Sequence, residues 1–523
     1  MLAISTAFSL IYVEKPHLIS SALYKNPENR YKNKLKRSTG LNVFNKKIVV
    51  SLFFLFVFLS PFSKASDSLP DIGTVGAGTL TIAKEKEYGW AFLLMANQSL
   101  PIIHDPILNH YVNELGQNIV AHADSVKLPF SFFLVEDNEI NAAAFLGGNV
   151  KIHTGLFLHA KNESELAGVV AHEVAHITQR HLARMLEQQS FSNPATLAAM
   201  AGSILLALVS PVAGMAALST TMAVSLQSQI NYTRQHEYEA DRIGITTLYN
   251  AGYDPYGMAN FFGTLAEKYK YASLPPQMLS THPLPEARLA EARLRAAQLA
   301  PNTIKNDLSY QLSKARITVR FTDISGTSSI DFYKSQLKNK KYQLKEAAEY
   351  GLALAYFKNK DYQLAHDTIT PLITAQPDNL FYLDFMMDAL LALKQNEEAI
   401  QLLTAKQQQS PDNEVITLNL VVALQTAKQY QQAEKILALF LRSHPEHVLA
   451  HLLAIDLYKL TQDKAKEHAH KAQHLALKGL FRQASQEMGT ALIYAKSNLD
   501  QARYSASIDL YKKQDIRLSE LQK

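Results

Sequence analysis

Hydrophobic positions along the chain change their period several times, and each change marks a different kind of element. The first run, Ile48 to Leu59, is mostly apolar, follows Lys46-Lys47 and precedes Ser63-Lys64-Ala65. A positive region, a short apolar core and small residues before a cleavage point make a secretory signal peptide, with the mature chain starting near Ser66. The run is shorter than the roughly 20 residues of a membrane-spanning helix; an uncleaved anchor is the other reading. Residues 1–45 are basic and aperiodic, and a translation start near Leu41 or Val43 accounts for them.

Helical spacing follows from Ile82 to Val126, as in Pro106 to Leu115. Phe130 to Val135 is rich in strand formers, and Asn141–Phe145 and Val150–Leu156 flank Gly147-Gly148, so two neighbouring strands are expected there. Leu166, Val169, Val170 and Ile177 then return to the helical period, behind Asn162 as N-cap and Glu165 three residues on. Gly168, on that helix, allows close packing.

From Gln188 to Thr233 no Asp, Glu, Lys or Arg occurs, and the apolar centre from Leu197 to Ala217 is interrupted by Gly202, Pro211 and Gly214. A buried helical hairpin or a lid over a cleft fits this pattern better than two short membrane crossings. Peripheral membrane contact through residues 188–233 stays open. Farther on, Ala365, Ala399 and Ala433 are 34 residues apart, as are Pro377, Pro411 and Pro445, and Leu352, Met386 and Leu420 keep the same register. That period is the signature of tetratricopeptide (TPR) helical pairs, with degenerate pairs expected over 446–520. Ser325-Gly326-Thr327-Ser328-Ser329 is the clearest linker signal before them.

Composition narrows the picture. A chain of 523 residues, 47% hydrophobic and 19% charged, has length and apolar content for two or more domains. The net charge of +5, with its basic excess concentrated in the first 47 residues, gives no footprint for nucleic acid. Cysteine is absent, which excludes disulfides, a thiol nucleophile and a Cys-ligated zinc ribbon.

The chemistry sits on the Asn162 helix. His172-Glu173-x-x-His176 puts two imidazoles on one helical face, with Glu173 beside them to take a proton from water. Two histidines are also compatible with an ordinary polar face. Zinc needs a third protein ligand, and the metzincin extension is missing: Gln179 and Leu182 stand at its glycine and histidine positions, and His181 is one residue off that register. Glu237 and Asp241, four residues apart in Glu237-Tyr238-Glu239-Ala240-Asp241, supply a carboxylate ligand and a partner for a ligand histidine. Glu239 and Arg242 fit the solvated face of the same helix.

In that order, Asn141-Ala142-Ala143-Ala144-Phe145, His172-Glu173-x-x-His176 and Glu237-x-x-Ala240-Asp241 resemble the gluzincin metalloproteases of the HtpX and CAAX-protease type. With the export signal, the segment Ser280-Thr281-His282-Pro283-Leu284-Pro285-x-x-Arg288 and the repeats, the chain is similar to the family's periplasmic, repeat-bearing members over about residues 70 to 520. The strand departs from the family's usual N-A-F-A order, having three alanines before Phe145. The resemblance implies one Zn²⁺ per chain on His172, His176 and Glu237, Glu173 as catalytic base, and Asp241 as the catalytic partner behind a ligand. It also implies that Asn141 to Phe145 is a substrate edge strand. His282, by its residues alone a loop histidine held extended by Pro283, becomes a possible regulatory fourth ligand, with Arg288 pinning its segment to a carboxylate.

The expected architecture is therefore an α+β zincin-type metalloprotease domain, mostly helical with a small sheet, followed by an all-α TPR solenoid. The boundaries are a lead and signal peptide over 1–65, the protease domain over 66–324, a linker over 325–340 and the repeats over 341–523. The resemblance implies a periplasmic enzyme of a Gram-negative bacterium that acts on unfolded or stalled outer-membrane proteins and meets the outer-membrane β-barrel assembly complex through its repeats. The rival reading is a repeat-based chaperone or adaptor with a latent protease site.

Overall fold

The computed structural model describes residues 80–188, 226–270, 277–284, 286–300, 302 and 308–521. The expected signal peptide and residues 189–225 of the uncharged stretch lie outside the described residues. Among the described residues no helix is long and apolar enough to cross a membrane.

The first part of the chain runs α1 (Ile82–Ser99), α2 (Pro106–Ala121), β1 (Ser131–Val135), β2 (Ala142–Phe145), a single 3-10 turn, β3 (Asn149–His153), α3 (Thr154–His159), α4 (Glu163–Thr178), α5 (His181–Gln188), α6 (Leu226–Asn250), α7 (Gly257–Tyr269), α8 (Gln277–Thr281), α9 (Glu286–Ala296) and α10 (Leu308–Arg320). β3 is central, parallel to β1 and antiparallel to β2. Ala142, Val150, Ile152, Phe132 and Leu134 face the main core. Phe133, Val135 and Phe145 face the other way, against Phe92 and Ala96 of α1. Burial on both faces is why these strands read as apolar runs rather than as an alternation.

α4 is buried on nearly every side, packed against α2, α6, α7 and β2. Its start is as expected: the Asn162 side chain accepts from Glu165 N at 3.0 Å. Gly168 is required by packing, because a Cβ there would lie 2.6 Å from the backbone nitrogen of Met258.

The rest is helical pairs: α11 (Gly326–Asn339), α12 (Lys345–Lys358), α13 (Tyr362–Ala375), α14 (Leu380–Ala392), α15 (Asn396–Gln409), α16 (Glu414–Thr426), α17 (Tyr430–Ser443), α18 (Val448–Leu460), α19 (Lys464–Leu477), α20 (Phe481–Tyr494) and α21 (Asn498–Leu521). The 325–340 segment expected as a linker is α11. Its Ser- and Thr-rich run is a helix start, in which Ser325 Oγ accepts from Ser328 N at 3.1 Å, and Ile330 and Tyr333 bury its inner face. Capping and linker chemistry use the same residues.

The repeat period has a backbone counterpart. Lys360, Lys394, Lys428 and Gln462, each 34 residues after the last, turn the chain within a pair at φ of 70°, 66°, 62° and 60°. Asn379, Asn413 and His447 recur at the same interval as N-caps of α14, α16 and α18. The register therefore extends one pair beyond the proline series.

Inner and outer helices differ. α15 buries only Ala399 and Leu403, whereas α16 is buried continuously from Val415 to Leu424. The cause is that α14 and α16 also pack against α2. At that seam Arg316 of α10 is fully buried, donating to Asp105 at 2.7 Å and to the Tyr350 hydroxyl at 3.0 Å, with Asp384 Oδ2 at 2.7 Å. Asp105 also caps α2, accepting from Ile107 N and Leu108 N at 3.1 Å. Arg320 pairs with Asp388 beside it.

The last helices return to the first. Ala91 and Leu94 of α1 pack with Phe481, Ala484 and Met488, Arg517 lies 3.0 Å from Glu87 and 4.7 Å over the Trp90 ring, and Asn97 donates to Leu477 O at 3.3 Å.

Candidate metal centre

Three segments far apart in sequence meet over the inner face of α4. α4 supplies His172, Glu173 and His176, α6 supplies Glu237 and Asp241, and the residue just after α8 supplies His282. His172 Nε2 lies 3.0 Å from His176 Nε2, 3.3 Å from His282 Nδ1 and 3.4 Å from Glu237 Oε2. Glu237 Oε1 lies 3.4 Å from His176 Nε2 and 3.1 Å from His282 Nδ1. All four ligand atoms fall within 4.8 Å of one another.

These spacings test whether zinc fits. Four ligand atoms at ordinary Zn–N and Zn–O lengths stand on a tetrahedron with edges of about 3.3 Å. The five separations above, 3.0–3.4 Å with one or the other Glu237 oxygen, bracket that value. Asp241 can only accept when ionised, and its Oδ1 is 3.0 Å from His172 Nδ1. That carboxylate favours the tautomer of neutral His172 with its proton on Nδ1, which leaves the Nε2 lone pair facing the cluster. Acceptors aimed at one point in a buried site call for a cation, and the donor set of two or three imidazoles and a carboxylate is one zinc favours.

Arg288 closes the back of the site. Its Nε and Nη2 donate to the two oxygens of Asp241 at 2.7 and 2.8 Å, and its Nη1 lies 2.8 Å from Glu237 and donates to Pro283 O at 2.7 Å. The same guanidinium sits 5.2 Å over the Phe262 ring, which meets His172 edge-on. It thus ties α6 to the His282 segment, as the sequence suggested. Burial works against charge on His172, but Asp241 and Glu237 outweigh it and push its pKa up to about 10. Burial also opposes ionisation of Glu237, yet His282, His172 and His176 hold its pKa well below the carboxylate range. Burial lowers His176. Metal binding must displace any proton these nitrogens carry, so affinity will fall in acid.

Glu173 is buried, with Oε1 lacking a hydrogen-bond partner among the described residues and standing 3.6 Å from His282 Nε2. β2 runs beside α4 as an edge of the sheet, with Ala142, Ala143 and Ala144 opposite Ile152, Lys151 and Val150, and Phe145 opposite Asn149. Among the described residues its outer side pairs with no strand. The turn after it rests on α1, where a Cβ on Gly89 would be 2.3 Å from Leu146 O, and Phe92 stacks on Phe145 at 4.0 Å.

Two sequence readings change. Glu239 is not on a solvated face: it lies 3.2 Å from His181 Nε2 and accepts from Arg184 at 2.9 Å, whereas Arg242 is exposed as expected. His181, set aside because it missed the metzincin register, stands with its Nδ1 2.9 Å from His176 Nδ1. The signal that would have found it, a left-handed residue at Arg180, is not written in a glycine.

With the geometry in place, comparison with known proteins is specific. The peptidase family M48 profile matches residues 106–296, and a tetratricopeptide repeat profile matches residues 390–457. The fold and site define a metalloendopeptidase with a helical repeat domain. The β-barrel assembly-enhancing protease of Escherichia coli K12 is 41% identical over 450 residues, covering 86% of this chain and 92% of that protein. A Vibrio cholerae protein provisionally given the same designation is 44% identical, covering 87% of this chain and 94% of its own length. The mitochondrial metalloendopeptidase OMA1 of Arabidopsis thaliana is 32% identical over 26% of each chain. The chain belongs to the M48 metallopeptidases, in the family of β-barrel assembly-enhancing proteases.

Proposed function

We propose that the metal is zinc, one per chain, held by His172, His176 and Glu237, and that the enzyme works in the periplasm on unfolded or stalled outer-membrane β-barrel proteins. The observation that carries the metal assignment is the convergence of His172 Nε2, His176 Nε2, the Glu237 carboxylate and His282 Nδ1, all within 4.8 Å of one another. The names of the E. coli and V. cholerae relatives support the substrate class, and the repeats give a surface for the β-barrel assembly complex.

Zn²⁺ in this position supplies Lewis acidity, polarising a scissile carbonyl and acidifying water near neutral pH. Glu173, whose Oε1 has no other hydrogen-bond partner among the described residues, takes the proton from the attacking water and passes it to the leaving amine. Asn141 to Phe145 hold the substrate extended by adding it to the free side of β2. Asp241 and Arg288 fix His172 and Glu237 in place. Metal analysis of the wild type beside Glu237→Ala tests the centre. About one zinc per wild-type chain, lost in the variant, is expected, and a wild type without tightly bound metal after growth in zinc-replete medium would overturn it.

His282 favours a second mode of the same protein. As fourth ligand it fills the corner that water needs, so the enzyme rests latent while the repeats act as chaperone or adaptor. Glu173→Gln separates the two modes: assembly activity retained without cleavage assigns the biological role to the repeats.

A further inference from the structure

His181 lies outside the ligand set, yet its position needs an explanation. In an uninterrupted helix a residue five places after His176 points about 140° away from it. Here α4 ends at Thr178, and Arg180 adopts a left-handed φ of 53° although it has a side chain. The buried Arg180 guanidinium is held by Glu85 of α1, with Nε donating to Oε1 at 3.2 Å. This break swings His181 back under His176.

The hydrogen-bond roles then follow in one direction. Ionised Glu239 can only accept, so His181 donates from Nε2, 3.2 Å away. Neutral His181 therefore has its lone pair on Nδ1, 2.9 Å from His176 Nδ1. His176 must donate there, which leaves its Nε2 lone pair for the centre. Arg184 donates to the same Glu239 oxygen at 2.9 Å. The His236 ring lies flat on His181, 4.2 Å away at 9°, and restricts its rotation.

We propose that His181, backed by Glu239 and Arg184, is the positioning residue that fixes the tautomer and orientation of His176, as Asp241 and Arg288 do for His172. This rests on the zinc reading. Its particular content is that the accepting group behind His176 is a second imidazole, with charge delivered at one remove.

Zinc affinity of the full chain, measured by competition with a chromophoric chelator, tests it. His181→Phe preserves the stack on His236 but cannot accept, and it should weaken zinc binding by about 10- to 100-fold, the usual cost of losing such a partner. His181→Asn, whose carbonyl oxygen falls near the place of Nδ1, should restore most of that loss. Glu239→Ala, at a partly exposed position, should weaken binding in the same direction and keep the protein folded. In steady-state cleavage, His181→Phe should lower kcat with little change in KM. Wild-type affinity in His181→Phe would overturn the proposal, and so would an Asn variant as weak as Phe. A wild type that binds no zinc at all would instead defeat the metal reading, and the two failures are separately visible.

Discussion

Two of the buried ionic clusters among the described residues are built on opposite principles. At the seam between α10 and the repeats, Arg316 and Arg320 face Asp105, Asp384 and Asp388, and donors meet acceptors. At the metal centre, imidazole nitrogens and a carboxylate oxygen turn acceptors toward one another at 3.0–3.4 Å, and the donors, Arg288 above all, stand behind them. The first cluster pairs cations with carboxylates within the protein. The second gathers acceptors that a cation would satisfy, and that difference separates the two networks.

The comparison can be tested by perturbing each cluster. The largest effect belongs to Glu173→Gln, which should reduce turnover of an unfolded substrate by about 10²- to 10⁴-fold with metal content and melting temperature unchanged. Arg316→Met should do the reverse. It leaves Asp105 and Asp384 buried without their cation, at about 3–5 kcal/mol of stability in urea unfolding, while the folded fraction keeps its metal. If Arg316→Met were as stable as the wild type, the seam would not be the self-sufficient network described.

Chelation comes next. Free metal 100-fold above its dissociation constant stabilises the native state by about 2.7 kcal/mol, so removing it should lower the melting temperature of the wild type and leave Glu237→Ala unmoved.

The smallest effect concerns a third group of buried bases, in the C-terminal repeats. Burial depresses His451 to about 4 and His470 to about 3, with His451 lowering His470 further. Between the unfolded value near 6.5 and these folded values, the unfolded chain holds protons that the folded chain does not. Stability is thus full above that window and lost as pH falls through it. A series of melting curves from neutral to pH 5 should show a downward slope that is shallower in His470→Phe, which keeps the stack on Tyr458.

Much of this was legible beforehand because it is local. The spacing of His172 and His176, of Glu237 and Asp241, and the 34-residue period each reflect a helix repeating on itself, and Asn162 and Ser325 are caps whose chemistry lies within three residues. What escaped was long-range or hidden in an unremarkable residue. Arg316 meets Asp105 across 211 positions, and neither residue belongs to a pattern. The Arg180 break has no glycine or proline to mark it, so in the sequence His181 stands only one residue off the metzincin register, with nothing to show that α4 stops three residues before it. Segment 325–340 differs again: its serines serve equally in a linker and a cap, and its helical form shows only in the burial of Ile330 and Tyr333.

The contact of α1 with α21 sets an order of events during folding. Glu87 and Arg517 are 430 residues apart, so α1 emerges among the first described elements and waits for nearly the whole chain before its outer face is covered. Its inner face meanwhile carries the turn after β2 and, through Glu85, the break that places His181. Until the segment around Arg517 has folded back, α1 lacks that clamp. A chain cut short before α21 therefore leaves the helix that supports the β2 turn and the Arg180 break uncovered on its outer face.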